Sequence, residues 1–116
     1  MIFNMKLQPQ PFEAIKSGRK DIEMRLYDEK RKQIKKKDLI EFTSLESGEK
    51  TLCKVTDLHI FSSFKQLYAH FDKKRLGYHE NETAKPSDME KYYPKSEQAQ
   101  FGVIGIEIKL IKLNLK

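Results

Sequence analysis

The 116-residue chain has a single cysteine, four prolines and five glycines. With Cys53 alone, no internal disulfide can form, which agrees with a reducing cytoplasm. Cys53 alternates with Val55 in an extended stretch, so it reads as core rather than as a nucleophile. No apolar run approaches the roughly 18 residues that span a bilayer, so no membrane span is expected. The opening MIFNMKLQPQ lacks the charged and then apolar segments of a secretory leader, and a cytoplasmic location is the expectation. A glycine-rich phosphate loop and a G-x-S-x-G elbow are also missing. His59, His70 and His79 have no close ligand spacing and no cysteine partners, so neither a metal nor a cofactor is expected. Repeats and low-complexity tracts are absent apart from a basic cluster over residues 30–37.

What is present is charge. Asp, Glu, Lys and Arg make up 34% of the chain, with a formal net charge of +6 and a pI near 9.3. That balance favours an anionic partner, most commonly nucleic acid. The length suits one domain over residues 1–116 with one compact core.

Along the chain, Ile2 to Leu7 reads as a strand. Pro9 and Pro11 then mark a turn and a helix start, and a short helix over 11–17 ends at Gly18. Residues 21–27 alternate like a half-buried strand, with Ile22, Met24 and Leu26 on one face and Asp21, Glu23 and Arg25 on the other. Asp28 resembles an N-cap for a helical turn over 29–33. Residues 38–44 and 51–61 should pair as an antiparallel hairpin across the Ser47-Gly48 turn. Phe64, Leu67, Tyr68 and Phe71 recur at helical spacing, giving an amphipathic helix. Residues 73–88 lack periodicity and read as a loop, and Ser87 and Glu90 have capping-box spacing for a short helix over 87–92 that ends at Tyr93-Pro94. In the last strand, residues 103–110, Ile104, Ile106, Ile108 and Leu110 point inward.

Five strands with two or three short helices do not follow the alternation of a parallel sheet. The pattern predicts an α+β, mainly β domain: a small, strongly curved, mostly antiparallel sheet or barrel with helices over its ends.

The charged face of 21–27 is either a solvated surface or a site. Glu23 and Arg25 project to the same side roughly 7 Å apart at their bases, by a rise of about 3.3 Å per residue. An arginine fork suits phosphate or a carbonyl edge, and a glutamate can accept from an exocyclic amine. Lys20 could bind phosphate or, if desolvated, act as a base. In the other reading Glu23 pairs with Arg25 or a cross-strand cation, and Lys20 is solvated.

The residues also carry a resemblance. Gly18, Lys20, Glu23 and Arg25 form G-x-K-x-x-E-x-R. Asp28-Glu29-Lys30-Arg31 and Asp38-Leu39-Ile40-Glu41-Phe42 follow, and Tyr93-Pro94, Glu97 and Phe101-Gly102-Val103 close the chain. From about Met5 to Ile108 this resembles the ASCH domain family of the PUA-like superfamily. The resemblance implies a PUA-like curved antiparallel barrel of about five to six strands, with two to three short flanking helices and a cleft lined by Lys20, Glu23 and Arg25. It implies binding of RNA or a modified nucleotide. It also leaves open an enzyme: a related branch hydrolyses the acetyl amide of N4-acetylcytidine, and other members are ribonucleases. That branch has a lysine, a threonine and an arginine at the matching positions, with a glutamate from the later loop. Glu23 replaces the hydroxyl here.

Around this centre Tyr27 is a candidate for base stacking. Arg31, Lys35, Lys36 and Lys37 are candidates for phosphate contacts, or else a solvated face. Tyr78, His79, Glu80 and Glu82 are candidates for a lid or a second carboxylate. With no evident nucleophile, a binding module is the first reading. The alternative is a hydrolase in which Lys20 and Glu23 are catalytic.

Overall fold

A computed structural model of the chain describes residues 1–112, so the end of the domain expected over 1–116 lies outside the described residues. Five strands, β1 (Ile2–Leu7), β2 (Ile22–Leu26), β3 (Leu39–Ser44), β4 (Lys50–Phe61) and β5 (Val103–Lys112), form one sheet in the order β1-β3-β4-β5-β2. β1 runs parallel to β3, and the other pairs are antiparallel. Three helices accompany them: α1 (Pro9–Lys16), α2 (Phe64–His70) and α3 (Lys95–Phe101).

Helix α1 begins at Pro9, two residues before its expected start, because a proline in the first turn loses no intrahelical bond. The Ser17 N–H closes its last turn on the Glu13 carbonyl at 2.9 Å, and Gly18 follows at a φ of 83°. The next turn is a 3-10 helix over Arg31–Gln33 rather than 29–33, and its N-cap is Lys30 rather than Asp28, although the Asp28 carboxylate still accepts the Arg31 N–H at 3.1 Å. Ser63 caps α2 by accepting from the Gln66 N–H at 3.3 Å. The expected helix over 87–92 is a 3-10 helix, Pro86–Lys91, with Lys85 rather than Ser87 at its N-cap. Helix α3 was not foreshadowed, since KSEQAQF has no apolar stripe and buries only Gln98.

The sheet curls around one core and carries a second on its convex side. Inside lie Met5, Phe12, Ile15, Ile34, Ile40, Phe42, Cys53, Val55, Ile104, Ile106 and Ile108. Outside, α2 and the following loop bring Phe64, Leu67, Phe71, Leu76 and Met89 onto Ile22, Met24, Leu26 and Val103. Each fully buried aliphatic or phenyl side chain contributes about 1.5–3 kcal/mol of transfer free energy, so both layers matter to stability. Val103 and Gly105 are buried as well as Ile104 and Ile106, so the start of β5 is covered on both faces.

Strand β2 is therefore inverted relative to an ordinary surface strand. Its apolar face, Ile22, Met24 and Leu26, packs outward against α2 and the loop. Glu23, paired across the sheet with Ile106, faces the interior of the curl. The strand order leaves β1 and β2 as the two free edges, and the Arg25 guanidinium donates through Nη2 to the Lys6 carbonyl at 3.2 Å. A side chain thus bridges the seam between the two edge strands.

Candidate functional site

Beside this seam opens a cleft of about 950 Å³. Its walls come from the end of β1, α1, β2, the loop after α2 and the 3-10 helix at Pro86–Lys91 with the residues after it. Lys20, Glu23 and Arg25, the three residues the sequence pattern singles out, all line it.

The expected pairing of Glu23 with Arg25 is present, but the solvated reading does not hold for Lys20 or Glu23. Lys20 is 7% exposed and Glu23 3%, which puts an ion cluster at the edge of a hydrophobic core. Glu23 Oε2 accepts from Arg25 Nε at 2.7 Å, and Lys20 Nζ lies 3.0 Å from Oε1. The second approach is an ion pair without hydrogen-bond alignment, leaving Oε1 without a directed donor. Burial alone raises the Glu23 pKa, but the Lys20 and Arg25 cations outweigh it and hold the carboxyl below its ordinary value. Burial likewise opposes the Arg25 charge, and Glu23 more than offsets it. Beneath, Cys53 is buried, which pushes its thiol up to about 12, with the Glu23 charge adding to the effect.

Local structure fixes Lys20. Its N–H donates to the Ala14 carbonyl at 2.9 Å, tying it to α1. Gly77, at a φ of 106°, lies against its stem so closely that a methyl group there would come within 3.1 Å of Lys20 Cδ. Arg19 Nη1 donates to the Gly77 carbonyl at 2.7 Å and locks the same loop from the other side.

The cleft also gathers Tyr68, Tyr78, Tyr92 and Tyr93, four of the five tyrosines in the chain. Tyr68 and Tyr78 share a hydroxyl hydrogen bond of 2.8 Å, and Tyr78 donates to Asp88 at 2.7 Å. Burial first, then those two bonds, push the Tyr78 hydroxyl far above the usual tyrosine range, so it stays a donor. Tyr93 stacks on Phe64 at 6.0 Å between ring centroids, and burial raises its pKa while the nearby Arg25 opposes that. Tyr92 is half exposed, with Lys91 Nζ 5.2 Å from its ring centre. Sequence reading placed Tyr68 in a helix stripe and Tyr93 at a helix end, and gave Tyr92 no role in a site. Their concentration in the last half of the chain was the available signal.

Tyr27, Arg31, Lys35, Lys36 and Lys37 stay outside the cleft lining. Tyr27 packs on the inner core with Lys32 Nζ 5.6 Å from its ring centre, and it does not line the cleft. Arg31 binds Asp28 at 2.8 Å. Lys35, Lys36 and Lys37 are exposed beside β4, where Lys36 pairs with Asp57 at 3.3 Å and the Lys37 N–H donates to the Val55 carbonyl. Of the loop carboxylates, Glu82 lines the cleft with His79 and accepts the His79 N–H at 2.6 Å. Glu80 pairs with Lys74 instead.

No helix among the described residues is long and apolar enough to cross a membrane. Comparison with curated proteins gives no match. Among solved structures, the hypothetical protein PH0355 is 34% identical, with a TM-score of 0.81 over 96% of this chain and 100% of that one. Protein PF0455 from Pyrococcus furiosus is 30% identical, with a TM-score of 0.76 over 97% of this chain and 99% of that one. The ASCH protein of Zymomonas mobilis is 14% identical, with a TM-score of 0.66 over 98% of this chain and 73% of that one, a likeness of fold alone. The sequence profile of the ASCH domain matches residues 5–112, and the curled five-strand sheet with its short helices agrees with it: the chain belongs to the ASCH domain family, which has a PUA-like fold.

Proposed function

We propose that the cleft binds a nucleotide unit of single-stranded RNA, or a free modified nucleotide, as a recognition module of the cytoplasm. The observation that carries this reading is the pairing of a tyrosine-rich wall with Arg19, Lys20 and Arg25 in one cleft. Aromatic faces accept any base by stacking, at about 1–3 kcal/mol per base, while fixed cations take the phosphate. Tyr92 offers the exposed ring. Glu23 acts as the anchor that holds the two cations of the floor in place, one on each carboxylate oxygen. The alternative, hydrolysis of a nucleoside amide or of RNA, asks Lys20 or Glu23 to move a proton. A carboxylate held ionised between two cations is a poor acid and a weak base, which favours the binding reading.

Fluorescence anisotropy with labelled single-stranded RNA and with modified nucleosides tests the proposal. Tyr92→Ala should weaken binding at least fivefold and Tyr27→Phe should leave it unchanged. Absence of salt-sensitive binding to every RNA and nucleotide tried rejects the module. Turnover of N4-acetylcytidine or RNA that is lost in Lys20→Ala would replace it with the hydrolase.

A further inference from the structure

On the other face of β5 from Glu23, three potential ligands converge. Asp57 and His59 are two apart on β4, and Glu107 on β5 pairs directly with Asp57. The convergence depends on a register shift between Val55 and Asp57, which sets two carboxylates opposite one another. Like charges in that position destabilise a sheet, and here Lys36 and Arg75 answer them from outside at 3.3 and 3.4 Å. Gly105 stands opposite His59, and a methyl group there would press on Ile22, Phe71 and Leu67 at 3.2–3.4 Å. The imidazole is braced edge-on by Phe71 at 5.0 Å. His59 Nε2 shares a hydrogen bond of 2.9 Å with Glu107 Oε1, whose hydrogen a bound metal would displace, and lies 3.8 Å from Asp57 Oδ2.

We propose that Asp57, His59 and Glu107 form a binding site for a divalent first-row transition-metal ion. One ligand atom from each lies within 4.8 Å of the others, and the two distances to His59 straddle the roughly 3.3 Å edge of a tetrahedron with metal bonds of about 2.0–2.1 Å. Two carboxylates and a neutral imidazole balance the charge of the ion. Outer partners hold each carboxylate by the oxygen that does not face the imidazole. Asp57 Oδ1 accepts the Leu58 N–H at 2.8 Å and pairs with Lys36, while Glu107 Oε2 lies 3.4 Å from Arg75 Nη2. Such outer partners aim the remaining oxygens at a metal. All three ligands are partly exposed, so a fourth position is open to water. An imidazole in the set selects zinc, cobalt or nickel over magnesium or calcium. Spacing of the histidines could not reveal this site, because the carboxylates arrive from β4 and from across the sheet.

Untagged protein, freed of metal, is titrated with Co2+ and followed by its visible ligand-field absorption, then melted with and without Zn2+. The expected result is one ion per chain and a higher Tm with Zn2+, neither of them given by Mg2+. Glu107→Gln, which keeps shape and fold, should weaken binding at least tenfold, His59→Ala should abolish it, and His79→Ala should leave it unchanged. Equal binding by wild type, Glu107→Gln and His59→Ala, or no saturable binding by wild type, overturns the proposal.

Discussion

Glu23 is where a single residue decides most. Its carboxylate is buried at the margin of the inner core and survives there only because Lys20 and Arg25 flank it. Removing one member of a buried ion cluster leaves uncompensated charge and typically costs about 3–5 kcal/mol. Glu23→Gln, which leaves two cations facing a neutral amide, should therefore destabilise the fold by about that amount in urea titrations at pH 7. The pH dependence has a definite sign. The folded pKa of Glu23 lies below its ordinary value of 4.5, so its contribution is complete above that value and is lost as pH falls through the folded pKa. The gap between wild type and Glu23→Gln should narrow as the pH is taken from 5 towards about 2. A gap of constant size across that range would mean that Glu23 is not held ionised by its neighbours.

At the scale of elements, β2 shows what a sequence can reveal and what it withholds. The alternation of Ile22, Glu23, Met24 and Arg25 was legible, as were the hairpin at Ser47-Gly48 and the stripe on α2. Which face of β2 turns inward was not legible, because a curled sheet covered outside by α2 can send its polar face into the curl. Lys20, Glu23 and Arg25 were singled out by their motif, whereas their burial and mutual pairing needed the fold. The tyrosine wall stayed hidden because its members come from α2, the loop after it and the end of the Pro86–Lys91 turn. Helix α3 stayed hidden because it is polar nearly all round and is held by Gln98, which donates to the Tyr93 carbonyl at 2.9 Å. The open seam between β1 and β2 rests on Arg25, whose planar fork reaches Glu23 and the Lys6 carbonyl together. Arg25→Lys keeps the charge and loses the fork. It should cost about 1.5–3 kcal/mol, by the usual worth of hydrogen bonds to a charged group. Amide exchange should quicken in β1 and β2 and stay unchanged between β4 and β5, and uniform quickening would show that the seam is not a local fastening.

For the whole molecule, the net charge of +6 and the cleft are separate features. The cleft lining mixes Lys6, Arg19, Lys20, Arg25 and Lys91 with Glu13, Glu23, Glu82 and Asp88, so it is close to balanced. Much of the excess positive charge lies elsewhere, on the exposed run of Lys35, Lys36 and Lys37 beside β4. Lys35, Lys36 and Lys37 do not line the cleft, so under the proposed function a bound mononucleotide is expected not to touch them, and a longer strand is expected to add phosphate contacts there. Each single-strand phosphate neutralised steepens the log–log salt dependence by roughly 0.7. Replacing Lys35, Lys36 and Lys37 together by glutamine should therefore flatten the salt dependence for a long single strand by up to about 2, and leave mononucleotide affinity unchanged. Affinities measured between 50 and 200 mM salt separate the two cases over about the range where such slopes are resolved. If the triple variant weakens mononucleotide binding as much as it weakens the long strand, the basic run belongs to the cleft's own field, and the division of labour argued here is wrong. If it changes neither, the run is solvated surface and the strand leaves the cleft by another face.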